Sequence, residues 1–126
     1  MQCTSPLRET VDIDNAIDKF IKNSYDSLFS ATDMKDLCLW RSVENNFCSI
    51  NFDYKARQMR QNIAPQYSEN GSFYIFKPDI LKKNKNRFGG KIGIYEMDAW
   101  KIYEIDEADD IEICNYFMTT KIIKNN

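Results

Sequence analysis

The fold turns on Tyr67-Ser68-Glu69-Asn70-Gly71-Ser72-Phe73-Tyr74-Ile75-Phe76. Asn and Gly both tolerate positive φ, so Asn70-Gly71 can bend the chain where most residues resist. Ser72 to Phe76 then reads as a strand buried on both faces, because Phe73, Tyr74, Ile75 and Phe76 leave no polar side. A buried strand that starts at a polar turn can carry a binding site, with the Tyr74 hydroxyl at the edge of the core. Taken alone, the same residues are more simply a turn and a core strand.

Around this stretch the pattern is α/β. Thr10 is expected to cap a helix with Asp12 and Asp14 in its first turn, where the helix dipole favours negative charge. Ile13, Ile17, Phe20 and Ile21 recur at helical spacing and are expected to face the core, with Asn23 and Ser24 ending the helix. Ser27 to Thr32 reads as a short strand buried on both faces. This strand–helix–strand rhythm favours a parallel sheet with crossover helices. From Cys38 to Pro65 the pattern loosens. Leu39-Trp40 and Cys48 to Phe52 suit a hairpin turning at Glu44-Asn45-Asn46. Trp40, Phe47 and Phe52 there mark either an arm that packs on another subunit or a plain surface hairpin. Further on, Pro78 starts a short helix, Asn84 to Lys91 is a polar Gly-containing loop, and Ile92 to Met97 is a strand. Lys101 to Asp106 is expected to be the next strand. Asp106, Asp109 and Asp110 suit the start of a last helix whose apolar face is Ile111, Cys114, Phe117 and Met118.

Composition narrows the chemistry. With 126 residues, 43% hydrophobic and 29% charged, the chain is that of one ordinary globular domain. A net charge of −2 gives no general attraction to nucleic acid or anionic membrane. No apolar run reaches membrane-span length. Four widely spaced cysteines and no histidine argue against a zinc site and exclude any His base. Cysteines of this kind fit reduced thiols and a cytoplasmic setting.

The sharpest chemical signal is Glu104 and Asp106. On a strand, side chains two apart share a face, so both carboxylates would point the same way and repel unless a cation sits between them. Oxygen ligands of that kind suit Mg²⁺, together with substrate phosphates and water. Taken alone, the pair is more simply a solvated strand end with a helix cap at Asp106. A second set, Arg60, Gln61, Gln2, Ser5 and Arg8, would suit an acidic, hydroxyl-rich ligand.

Four ordered stretches carry a resemblance. Gln2-Cys3-Thr4-Ser5-Pro6-Leu7-Arg8 resembles the LQPTSPLR stretch of the N-acylneuraminate cytidylyltransferases, the CMP-sialic acid synthetases. Arg60-Gln61, Tyr67, Glu69-Asn70-Gly71 and Tyr74 are similar to their RQ…Y.ENGAIYI segment. Arg87 to Met97 is similar to the loop and strand that follow, and Glu104-Ile105-Asp106 with Asp110 resembles the ID.D…D start of their last helix. The order and approximate spacing agree along nearly the whole chain. Glu104 stands where the best-known members have Asp, and Cys3 where they have Pro.

The resemblance implies a Rossmann-like nucleotidyltransferase fold, a mixed sheet with flanking helices. It further implies that the family's N-terminal strand and Gly-rich phosphate loop are missing, so residues 1–126 form a single partial domain expected to have no turnover alone. It implies a homodimer through a 38–66 excursion, and a reaction of CTP with a nine-carbon acidic sugar that gives the CMP-sugar and pyrophosphate. Gln2, Arg60, Asn70 and Tyr74 would contact the sugar, while Glu104 and Asp106 would be catalytic and hold Mg²⁺. Relatives acting on pseudaminic, legionaminic or 3-deoxy-octulosonic acid, and a non-catalytic dimerising or ligand-binding protein, stay open as alternatives.

Overall fold

The computed structural model describes residues 1–34 and 37–125, apart from the side chains of residues 60 and 125. The chain divides into two compact units, one built from Met1–Asp33 with the residues from Ser68 onward, the other from Met34–Tyr67.

In the first unit, helix α1 (Thr10–Lys22) leads into strand β1 (Ser27–Asp33). Strand β4 (Tyr67–Phe76), helix α2 (Pro78–Asn84), strand β5 (Ile92–Met97) and helix α3 (Ala108–Phe117) follow the second unit. The sheet order is β4-β1-β5. Strand β5 runs parallel to β1, from Ser27 opposite Ile92 to Thr32 opposite Met97. Strand β4 runs the other way: the Lys77 amide donates to the Asp26 carbonyl (3.0 Å), and the Phe73 amide donates to Ser30 Oγ (3.0 Å). The architecture is therefore mixed α/β, compatible with a nucleotidyltransferase-like fold. Among the described residues, no helix is long and apolar enough to cross a membrane.

Two clusters form the core. Ala16, Leu28, Phe73 and Met97 join α1 to the sheet, with Ile13, Phe20, Ile75 and Tyr95 packed against them. Leu7, Cys114 and Ile122 form the second, with Trp100, Ile105, Phe117 and Met118 around them. The helical face expected from Ile13, Ile17, Phe20 and Ile21 is thus narrower than its spacing suggests. Ile17 and Ile21 are exposed, at 41% and 68%, and Asp12 is buried instead. The cap also differs from expectation. Glu9 caps α1 in a reciprocal box with Asp12, so Thr10 is already the first helical residue. At α3 the cap is Glu107, paired with Asp110, and Ile111 faces outward.

The expected strand over 101–106 is absent. A 3₁₀ turn covers Ala99–Ile102, and residues 103–105 lie outside the sheets. Lys101 is the reason. Its ammonium is buried (4% exposed) and lies 2.7 Å from both Glu9 Oε2 and Asp12 Oδ2 at the start of α1. Reaching them turns the chain off the sheet edge, and the Ile105 amide bonds Thr4 O (2.7 Å) in place of a strand neighbour.

The second unit holds the expected hairpin, β2 (Trp40–Val43) with β3 (Asn46–Ser49), in antiparallel register. Glu44 and Asn45 both take positive φ, as a two-residue hairpin turn requires. Asn51 closes the unit by bonding Leu39 N, Leu37 O and Gln66 Oε1 (2.6–2.8 Å). Trp40 stacks edge-on against Phe52, while Phe47 and Ile50 lie exposed.

Burial by itself lowers the Lys101 pKa, but its hydrogen bonds to Asp12 and then Glu9 outweigh that and hold it above the ordinary 10.5. A raised folded-state pKa means this stabilisation is complete below 10.5 and is lost as pH rises through the folded value. We expect Lys101→Met to cost about 3 kcal/mol in denaturant unfolding, because it leaves the buried Asp12 carboxylate without its cation. The alkaline fall in melting temperature should shrink in the variant. A cost below about 1 kcal/mol, the range of an exposed pair, would contradict this arrangement.

Candidate functional site

Strand β4 does not begin at Asn70-Gly71; it runs through it. Gly71 has φ +63° inside the strand, and the Ser72 amide donates to Asn70 Oδ1 (3.3 Å) around it. In a regular strand, residues five apart face opposite sides. Yet the Tyr74 hydroxyl donates to Glu69 Oε2 at 2.9 Å. The positive-φ glycine acts as a bulge that resets the alternation and brings both side chains to one face.

Gly71 also makes room. A Cβ there would collide with Gln2 Oε1 and Glu104 Oε1 and stand 2.7 Å from Ser5 Oγ. Three oxygens, from the N-terminal segment and from the stretch after β5, thus converge on one backbone position. Ser5 Oγ is buried and has no hydrogen-bond partner among the described residues. Arg8 pins the N-terminal segment to the strand, donating to Ser72 O (2.7 Å) and Gln2 O (3.1 Å).

Beside this point lies a cavity of about 640 Å³, whose lining includes Gln2, Tyr74, Lys85, Asn86, Arg87 and Phe88. The αL conformation of Lys85 (φ 53°) ends α2 and starts the loop along one wall. The Arg87 guanidinium lies 3.7 Å above the Tyr74 ring, and Phe88 meets the same ring edge-on. Burial raises the Tyr74 pKa above the usual 10.0; the Glu69 hydrogen bond adds to the shift and nearby Arg87 opposes it.

The sequence candidates therefore separate. Gln2 and Tyr74 meet in the cavity. Glu104 is half-buried beside Gln2 at Gly71. Asp106 is exposed at the approach to α3, where its amide donates to Asp110 Oδ2 (3.0 Å). Without a strand there, strand alternation does not set the direction of the two carboxylates. Asn70 is fully buried, and its side-chain Nδ2 donates to Lys101 O (3.1 Å) and Met97 Sδ (3.2 Å), so in this structure it fixes the bulge. Arg60 begins a 3₁₀ turn in the second unit, and its side chain lies outside the described residues. Among the described residues, no group of three or more acidic or cysteine side chains forms a metal cluster. Residue-by-residue reading passed over Glu69, Lys85, Arg87 and Phe88 as site residues. The available signal was two cations in a Gly-containing loop that follows a short helix.

Comparison with known proteins bears on this arrangement. No family model matches the chain. It is 32% identical over 116 residues to N-acylneuraminate cytidylyltransferase A of Danio rerio, covering 89% of this chain and 26% of that protein. The chain resembles the N-acylneuraminate cytidylyltransferases. It is also 27% identical to post-translational flagellin modification protein B of Campylobacter coli, covering 96% of this chain and 52% of the relative. A third relative, CMP-N,N'-diacetyllegionaminic acid synthase of Campylobacter jejuni, is 29% identical over 74% of this chain and 35% of its own length. The chain thus spans about half the length of the flagellin modification protein and less of the other two. Two of these relatives are named as a cytidylyltransferase and a CMP-sugar synthase.

Tyr74 supplies a direct check of the cavity's electrostatics. In carbon-13 spectra of labelled tyrosine its midpoint should lie above 10.0, fall on Glu69→Gln and rise on Arg87→Gln. An unchanged midpoint in both variants would mean that the three groups do not interact.

Proposed function

We propose that this chain is the sugar-binding part of a CMP-sugar synthetase of Rossmann-like nucleotidyltransferase fold. The reaction would transfer CMP from CTP to the anomeric hydroxyl of a nine-carbon acidic sugar, with release of pyrophosphate. The observation that carries this reading is the meeting of Gln2 and Tyr74 in one cavity rimmed by cations. In this reading the Gln2 amide and the Tyr74 hydroxyl bond the sugar's polar groups, and Arg60 is kept as a further proposed sugar contact. Asn70 acts from beneath by fixing the bulge. Holding the sugar rigidly supplies much of the rate, since positioning turns a bimolecular step into an effectively unimolecular one.

Glu104 and Asp106 are the proposed Mg²⁺ ligands. Glu104 Oε1, Gln2 Oε1 and Ser5 Oγ converge on Gly71, and oxygen donors of this kind fit a hard cation. Bound there, the ion would supply charge neutralisation at the phosphates. A homodimer through residues 38–66 is part of the proposal, supported by the exposed Trp40, Phe47 and Ile50 of the second unit. So is a cytoplasmic setting, supported by four widely spaced cysteines with no CxxC pair.

One observation favours a second reading of the sugar. Met1, Phe76, Leu81 and Phe88 make the remainder of the cavity wall apolar. Such a wall suits the methyl groups of a diacylamido sugar of the legionaminic type, the sugar in the name of the Campylobacter jejuni relative.

Calorimetry with N-acetylneuraminate and a legionaminic acid tests the proposal. The chain should bind at least one of them, and Arg60→Ala should weaken binding roughly ten- to a hundred-fold. No binding to folded protein would sink it. In a protein that carries this segment and turns over CTP, Asp106→Asn should lower Mg²⁺-dependent turnover by at least ~100-fold. Its melting temperature should hardly move, because Glu107 and Asp110 form the cap. Retained turnover would remove Asp106 from the metal site.

A further inference from the structure

We propose that Arg87 reads the acid group of the ligand in the cavity, and that Glu69 is the internal carboxylate which that acid displaces. The inference rests on the sugar-acid reading only for the identity of the ligand; its anionic class follows from the cavity itself. Among the described residues the charged side chains in the lining are Lys85 and Arg87, both cations, and neither Asp nor Glu contributes to it. The lining therefore repels cations and leaves an anion with two positive neighbours.

Arg87 is set up for this task. The Arg87 guanidinium carbon lies 3.7 Å from the centre of the Tyr74 ring, which restrains the group while its side chain stays partly open to solvent. Its carboxylate neighbour is Glu69, at 3.9 Å, which is beyond hydrogen-bond reach. Glu69 is already held by the Tyr74 hydroxyl at 2.9 Å. Both members of the ion pair are nearly half exposed, at 42% and 44%, so the pairing is weak and open to exchange. A ligand carboxylate that takes two parallel N–H···O bonds from Arg87 makes a contact that Glu69 does not. Glu69 keeps its tyrosine bond when this happens, so the exchange leaves no buried charge without a partner.

Opposite effects at the two residues give the test. Affinities of the whole chain for N-acetylneuraminate and for its uncharged methyl ester are measured by calorimetry, with unchanged circular dichroism as the check on folding. Wild type should prefer the acid by about tenfold or more. Arg87→Gln should erase that preference by weakening the acid alone, and Arg87→Lys should restore only part of it. Glu69→Gln should tighten the acid a few-fold and leave the ester unchanged. If Arg87→Gln keeps the preference, or weakens acid and ester alike, the assignment to Arg87 is overturned. If Arg60→Ala erases the preference while Arg87→Gln keeps it, the acid is read by Arg60. Should wild type bind neither sugar, the functional reading fails, and Arg87 is then decided with pyruvate. A shift of its Nε–H resonance on titration supports the anion site, and a stationary resonance overturns it.

Discussion

A buried ammonium organises the first unit. Lys101 meets Glu9 and Asp12 at 2.7 Å, and those two residues are also the reciprocal cap of α1. Its backbone carbonyl accepts from the Asn70 amide, so the same residue ties α1 to the bulge of β4. Desolvating a charge is expensive, and the arrangement is tolerable only because both partners are present. The cost is matched by specificity. A lysine that must reach α1 cannot continue a strand after β5, and the chain that follows is sent back toward the N-terminal segment.

That detour makes the site. The Ile105 amide holds Thr4 O, and Arg8 holds Gln2 O and Ser72 O, so the N-terminal segment is fastened to neighbours on two sides. Gly71 then allows Gln2, Ser5 and Glu104 to approach a backbone that any Cβ would keep at a distance. The same glycine turns Glu69 and Tyr74 to one face, where Arg87 lies over the ring. A single positive-φ residue therefore sets both the oxygen cluster and the electrostatics of the cavity wall.

Elements with a local cause were legible in the sequence. Ile92 to Met97 is an uninterrupted strand bounded by a Gly-containing loop, and it forms as read. Pro78 starts α2 because its fixed φ suits a first turn, and Ser27 onward is buried on both faces as its composition implies. What escaped reading depends on partners far along the chain. Lys101 to Asp106 alternates like a strand, but the carboxylates that claim Lys101 lie about ninety residues earlier. Asn70-Gly71 signals positive φ, which a turn and a bulge use equally, so the local residues cannot choose between them. The strand that was to set Glu104 and Asp106 on one face does not form, so local alternation does not fix how the two carboxylates stand to each other. Arg87 was visible only as one cation in a polar loop, because its value comes from a tyrosine thirteen positions away.

The central claim is that the cavity between the N-terminal segment, the end of β4 and the loop after α2 receives an acidic sugar. The most direct measurement is a crystal structure of the chain soaked with N-acetylneuraminate or a legionaminic acid. The account expects sugar density against Gln2 and Tyr74, with the carboxylate at the N–H edge of Arg87. Density confined to another surface, or an empty cavity in a crystal saturated with a ligand that the chain binds in solution, would contradict it.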